Sequence, residues 1–212
     1  METLKLKSLD LLKKEVEQLT AKNDAAHDFE HIMRVYRNAK NLCKSEKANP
    51  KLVLCAALLH DIVSFPKSDK RSKTSSKKSS ILAAKILKKY QFSKNEIQII
   101  CNAILDHSFS KNKTPKTIEG KILQDADRLD AIGAIGIARA FAVGGHENRS
   151  FYNKLDPFCI KRSPDDKKWT LDHFFRKLLL LEKLMNTKSA KIEAKKRTKI
   201  IKKYLDDLKR EI

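Results

Sequence analysis

Apolar residues return every third or fourth position along most of this chain, and lysines crowd the positions between them. Leu4, Leu9, Leu12, Val16 and Leu19 mark one side of an amphipathic helix over residues 3–20. Ile32, Val35, Ala39 and Leu42 form one stripe of a second helix over 28–43. Asn49-Pro50 opens a third, with proline in the first turn, where no intrahelical donor is needed. The run from Leu52 to Leu59 is apolar on every side, so it belongs in the middle of a bundle. Residues 64–80 carry Pro66 and a Ser/Lys mixture without hydrophobic period, and read as a loop or lid. Helical patterns resume over 79–90, 94–106 and 119–143, where Gly144-Gly145 is expected to stop the last one. Residues 146–168, with Pro157 and Pro164, read as irregular. Two more helices are predicted over 171–186 and 188–210, with Thr170 and Thr187 as N-caps. The pattern predicts an all-α, single-domain bundle spanning residues 1–212, with no internal repeat.

Composition narrows the class. Of 212 residues, 41% are hydrophobic and only five each are Gly and Pro, which suits a globular helical protein. The longest apolar run, Val53 to Leu59, is far below the ~20 residues of a bilayer span. Met1-Glu2-Thr3-Leu4-Lys5 carries charge where a signal peptide has its apolar core. Cys43, Cys55, Cys101 and Cys159 form no C-x-x-C pair and read as free thiols, so the expected location is cytoplasmic. The net charge of +20 fits a nucleic-acid partner, a polyanionic small substrate, or a solvated lysine surface. Few aromatics interleave with the basic residues, so stacking platforms for single strands look scarce.

The candidate chemistry lies where polar groups interrupt apolar runs. His60-Asp61 ends the buried third helix, a costly place for imidazole and carboxylate unless a partner compensates both. A divalent metal does so, His offering a neutral nitrogen and Asp an anionic oxygen. His31 lies four residues before Val35 and shares its core-facing side. In the stretch from Gly120 to Gly133, Asp127 falls in a row with Leu123, Ala131 and Ala134. Asp125 has an apolar row of its own, Ile122 and Leu129, so periodicity leaves both aspartates open. His107, after Ile104-Leu105-Asp106, reads equally as a helix-end histidine or as a group reaching the same site. Asp28 is a candidate helix cap, and His146 and His173 have no supporting pattern.

Three segments resemble the motifs of a known family. They are His27-Asp28-Phe29-Glu30-His31-Ile32-Met33-Arg34-Val35, Ala57-Leu58-Leu59-His60-Asp61-Ile62-Val63, and the run from Gln124 to Arg139. Together they resemble the HD superfamily of metal-dependent phosphohydrolases, in the branch of small bacterial hydrolases akin to nucleotide pyrophosphohydrolases. The resemblance runs from about Asp24 into the C-terminal helices. It implies an HD-type helical bundle, with a metal-binding core over about 24–143 and C-terminal helices over about 170–211 packing on it. It also implies that His31, His60, Asp61 and Asp127 hold one divalent ion (Mn, Mg, Fe or Co). Asp127 is preferred to Asp125 because the family's ligand directly precedes an Arg/Lys-Leu pair, here Arg128-Leu129.

The remaining assignments follow from that reading. His107, Asp130 and Asp28 are the candidates for catalytic proton transfer. Lys67, Arg71, Arg128 and His27 are the candidates for substrate contact. Lys67, Lys70, Arg71, Lys73, Lys77 and Lys78 stand against one acid, Asp69, just after the second motif. The expected partner is a phosphorylated small molecule, a nucleotide, hydrolysed as a nucleoside triphosphate to release pyrophosphate. A nucleotidase or phosphodiesterase on the same scaffold is the alternative. A nucleic-acid-binding protein or a nucleotide sensor with a structural metal is the rival from another class.

Overall fold

The computed structural model of the protein describes residues 2–21, 23, 28–65, 69–111 and 113–212, with the side chains of 2–8 and 110 left aside. The regular structure of the described residues is helical, and no strand occurs among them beyond an isolated bridge between Ser150 and Trp169. The chain divides into two compact units, Met1–Asp127 and Arg128–Ile212.

The first unit is built around α3 (Pro50–Leu59). Asn49 caps it by accepting from the Lys51 amide, and Pro50 takes the first position. Leu52, Val53, Cys55, Ala56, Ala57, Leu58 and Leu59 are all buried, because α1 (Glu2–Thr20), α2 (Phe29–Leu42), α4 (Ser75–Lys89) and α5 (Lys94–Asp106) pack around it. This explains a helix without a polar face. α1 contributes Leu12 and Val16 to the core, while Leu19 of the predicted stripe is 41% exposed.

Residues 64–80 differ from the expected loop. A 3₁₀ turn spans Lys70–Thr74, and α4 begins at Ser75. The inward face of its first turns is made of serine. Ser79 Oγ accepts from the Val63 amide and donates to the Val63 carbonyl, and Ser80 Oγ donates to the Cys101 carbonyl. A hydroxyl face of this kind has no hydrophobic period, so the pattern of apolar residues could not reveal it.

The predicted helix over 119–143 is two helices, α6 (Ile118–Asp130) and α7 (Gly133–His146). Gly133 turns the chain with φ +80, a conformation costly for any residue with a Cβ. Two arginines satisfy carbonyls left open at the break: Arg197 donates to Leu129 and Arg139 to Asp130. Gly144-Gly145 does not stop α7. Gly144 sits inside it because a Cβ there would come within 2.1 Å of Thr170 Oγ1. Thr170 accordingly packs rather than caps, and Leu171 precedes the short α8 (Asp172–Arg176). The stretch predicted as one helix to 186 continues as a 3₁₀ segment, Leu178–Leu184. Thr187 does cap α9 (Lys188–Glu211), accepting from the Ala190 amide.

α5 is fixed to α3 by one acid. Glu96 closes a capping box with Ser93 and also meets Lys51 of α3 at 2.8 Å. The Lys51 ammonium and the Ser93 amide hold its carboxyl at about 2, far below the ordinary value. A depressed carboxylate stabilises the fold above its unfolded pKa and loses that contribution as pH falls through its folded pKa. Wild type is therefore expected to be more stable than Glu96→Gln at pH 7, with the difference shrinking between about pH 4.5 and pH 2. Denaturant melts of both proteins across that range check this, and a pH-independent difference contradicts it.

Candidate metal centre

Four helices of the first unit end or begin at one place. His60 is the residue that closes α3, and Asp61 follows it. His107 closes α5 in the same way. His31 lies in the first turn of α2, whose N-cap Asp28 accepts from the His31 amide at 2.8 Å. Asp127 lies in α6. His31 and His60 bring their Nε2 atoms to 3.3 Å. Asp127 reaches His31 Nε2 at 3.6 Å, and Asp61 reaches His60 Nε2 at 3.6 Å and His31 Nε2 at 3.9 Å. The other oxygen of Asp61 lies 3.6 Å from His107 Nε2.

The backbone decides which nitrogen of each ring faces the cluster. His60 Nδ1 donates to the Ala57 carbonyl at 2.8 Å, and His107 Nδ1 donates to the Ile104 carbonyl at 2.6 Å. Each carbonyl lies three residues back, in the last turn of the histidine's own helix. Both rings therefore turn Nε2 toward the carboxylates. The three imidazoles are almost fully enclosed, whereas the side chains of Asp61 and Asp127 remain 14% and 25% exposed. Nitrogen donors thus form the floor of the site, and anionic oxygens form its open rim.

Charge follows this layering. Burial drives the His60 imidazole down to about 4, so at neutral pH it is uncharged with a free Nε2 lone pair. At His107 burial works in the same direction, but the contact and charge of Asp61, with Asp127 behind it, raise the ring above its ordinary value. Burial would raise the Asp127 carboxyl, yet the three imidazoles hold it below the ordinary carboxylate range.

This donor set fits a divalent metal ion. Two groups of side chains present ligand atoms within 4.8 Å of one another: His31, His60 and Asp127, and His60, Asp61 and His107. Converging lone pairs at 3.3 Å repel unless a cation or proton lies between them. Mixed imidazole and carboxylate donors suit first-row divalent ions.

The other candidates are not members of these two groups. Asp125 is fully buried and belongs to neither group. His27 and Lys67 lie outside the described residues. Arg71 is exposed, forms a fork with Asp69 at 2.7 and 2.9 Å, and lies over the Phe65 ring. In the second unit, Arg128 donates to the Leu184 carbonyl, and Asp130 is buried in an ion pair with Arg139 at 2.7 Å. Two supporting residues escaped the sequence reading. Gln124, one turn before Asp127, donates to the Asp106 and Lys113 carbonyls and so ties α6 to the end of α5. Asn38 of α2 donates to the Ala126 carbonyl beside Asp127. Gln124 opens the third motif without an assigned role and Asn38 lies outside the motifs, so only the packed structure reveals what either does.

An HD-domain family profile matches residues 28–132, which contain all five residues of the cluster. The chain is 32% identical to YpgQ of Bacillus subtilis over 211 residues, covering 98% of this chain and 95% of that protein. This chain belongs to the HD superfamily. The crystal structure of Bacillus subtilis YpgQ in complex with ADP has a TM-score of 0.76 to it, at 32% identity, covering 98% of this chain and 96% of that one. An HD-superfamily hydrolase from Bacillus thuringiensis has a TM-score of 0.74 at 33% identity, covering 98% and 97% of the two chains. As an HD protein, this chain is a metal-dependent phosphohydrolase.

The two aspartates of α6 are separable by experiment. Asp127→Asn removes an anionic donor and is expected to lose most of the metal after purification. Asp125→Asn is expected to keep the metal and to lose about 1–3 kcal/mol of stability, since a buried polar group changes partners. Elemental analysis and denaturant melts of both variants decide it, and metal lost only from the Asp125 variant overturns the assignment.

Proposed function

We propose that this chain hydrolyses nucleotides, and that its reaction is cleavage of a nucleoside triphosphate to the monophosphate and pyrophosphate. The observation that carries this reading is the ADP complex of Bacillus subtilis YpgQ, a nucleoside polyphosphate held by a protein 32% identical over 98% of this chain. His31, His60, Asp61 and Asp127 would hold the divalent ion, of the Mn, Mg, Fe or Co kind. When bound, that ion would supply positive charge against the phosphoryl oxygens and would make water a better nucleophile at neutral pH.

The chain's own residues supply the rest. Attack of water at the α-phosphorus forms one P–O bond and breaks the bond to the bridging oxygen. His107 is the residue we assign to proton handling, because its Nε2 faces Asp61 and its pKa lies above the ordinary histidine value. Its Nδ1–H, held by Ile104, fixes the ring for that purpose. Asp28 caps α2 by accepting from the His31 amide, and so helps to hold that histidine in place. Arg71 offers a bidentate fork, and a polyphosphate would compete with Asp69 for it. Four unpaired cysteines support a reducing, cytoplasmic setting, and no helix among the described residues is long and apolar enough to cross a membrane.

The test is a panel of nucleoside mono-, di- and triphosphates with the metal-loaded protein, separating phosphate from pyrophosphate. Pyrophosphate from triphosphates, with slow or absent turnover of monophosphates, is expected. Release of inorganic phosphate alone assigns a nucleotidase, and nucleotide binding without turnover assigns a sensor. Either result overturns the pyrophosphohydrolase reading.

A further inference from the structure

The basic charge of this chain is densest on α9. Eight of the sixteen residues from Lys188 to Lys203 are Lys or Arg, against one acid, Glu193. The helix sorts them cleanly. Ala190, Ala194, Thr198, Ile201 and Leu205 are buried on one side. Arg197 turns inward and is spent on Glu193 and on the Leu129 carbonyl. The seven lysines are all exposed. At 3.6 residues per turn they fall within about 140° of the circumference, along roughly 22 Å of helix.

That face is self-repelling. Lys191, Lys195 and Lys199 follow at four-residue steps, where like charges destabilise a helix. Only Lys196 and Lys203 meet acids, Glu193 at 3.9 Å and Asp207 at 2.6 Å. No ion pair occurs at Lys188, Lys191, Lys195, Lys199 or Lys202 among the described residues, so a row of cations faces solvent uncompensated.

The geometry points to α9 as a docking face for the phosphate backbone of a nucleic-acid duplex. Charge complementarity selects a polyanion. No aromatic lies between Lys188 and Lys203, so the contacts this face offers are to backbone and independent of sequence. An anionic membrane is the lesser fit, because an interfacial helix needs a free apolar face. The apolar face of α9 is consumed by its own unit, and Ile192 and Ile200 are its only large apolar groups left exposed between Lys188 and Lys203.

The test measures binding of the full-length protein to a fluorescein-labelled DNA duplex across a salt series. Wild type is compared with a variant carrying Lys191→Gln, Lys195→Gln, Lys199→Gln and Lys202→Gln. A control carries Lys44→Gln, Lys47→Gln, Lys85→Gln and Lys88→Gln, exposed lysines of the first unit. Circular dichroism and metal content verify that each protein is folded. Wild-type affinity should fall steeply with salt. The α9 variant should bind at least about tenfold more weakly, with the slope of log K against log salt reduced by about 0.9 for each phosphate that is no longer neutralised. The control, with the same net charge, should stay near wild type. Equal weakening in both variants would reduce the effect to net charge and overturn the proposal. So would absence of duplex binding by wild type, or binding to phosphatidylserine vesicles without binding to the duplex.

Discussion

Everything at the candidate metal centre depends on two imidazoles held by backbone carbonyls. His60 and His107 each donate Nδ1–H to a carbonyl three residues back in their own helix, Ala57 and Ile104. These bonds leave Nε2 with only one direction to face. Because α3 and α5 end beside each other, the two rings meet edge to face, 5.1 Å apart, and His31 completes the floor from α2 at 5.2 Å from His60. The carboxylates of Asp61 and Asp127 then close over nitrogens that have no freedom to turn away.

Placing these groups inside a helical unit is costly, and the structure distributes that cost. α3 is buried over most of its surface, and each of its buried leucines, Leu52, Leu58 and Leu59, contributes about 2 kcal/mol by leaving water. That apolar run carries His60 to a depth where burial keeps it neutral and therefore able to donate a lone pair. The capping box of Ser93 and Glu96, and the bond from Glu96 to Lys51, set the axial position of α5 against α3. Gln124 sets α6 against α5. The site is thus positioned by helix ends and by the polar bonds that fix them, rather than by loops.

Much of this was legible in the sequence because each motif lies at the end of a strongly periodic segment. His60-Asp61 follows an apolar run too long to be surface, and Asp127 lies in a row of apolar residues. The ambiguity between Asp125 and Asp127 was real at the level of periodicity, since both carboxylates have apolar neighbours one turn away. The family resemblance favours Asp127, and the packed helices enclose Asp125 and set Asp127 beside His31. His107 could be read as a helix end or as a site residue; it closes α5 and sets its Nε2 3.6 Å from Asp61. What stayed hidden rests on polar packing. The serine face of α4, the arginine-capped break before Gly133 and the inward-facing Gln124 leave no trace in a hydrophobic pattern. Arg71 illustrates the opposite limit, because its charge was visible but its pairing with Asp69 was not.

X-ray absorption at the metal edge of the protein loaded with one equivalent of manganese or cobalt tests the central claim most directly. The account predicts a shell of nitrogen and oxygen donors at about 2.0–2.2 Å, with outer-shell scattering from at least two imidazole rings. A shell of oxygen donors alone, without imidazole scattering, would contradict it.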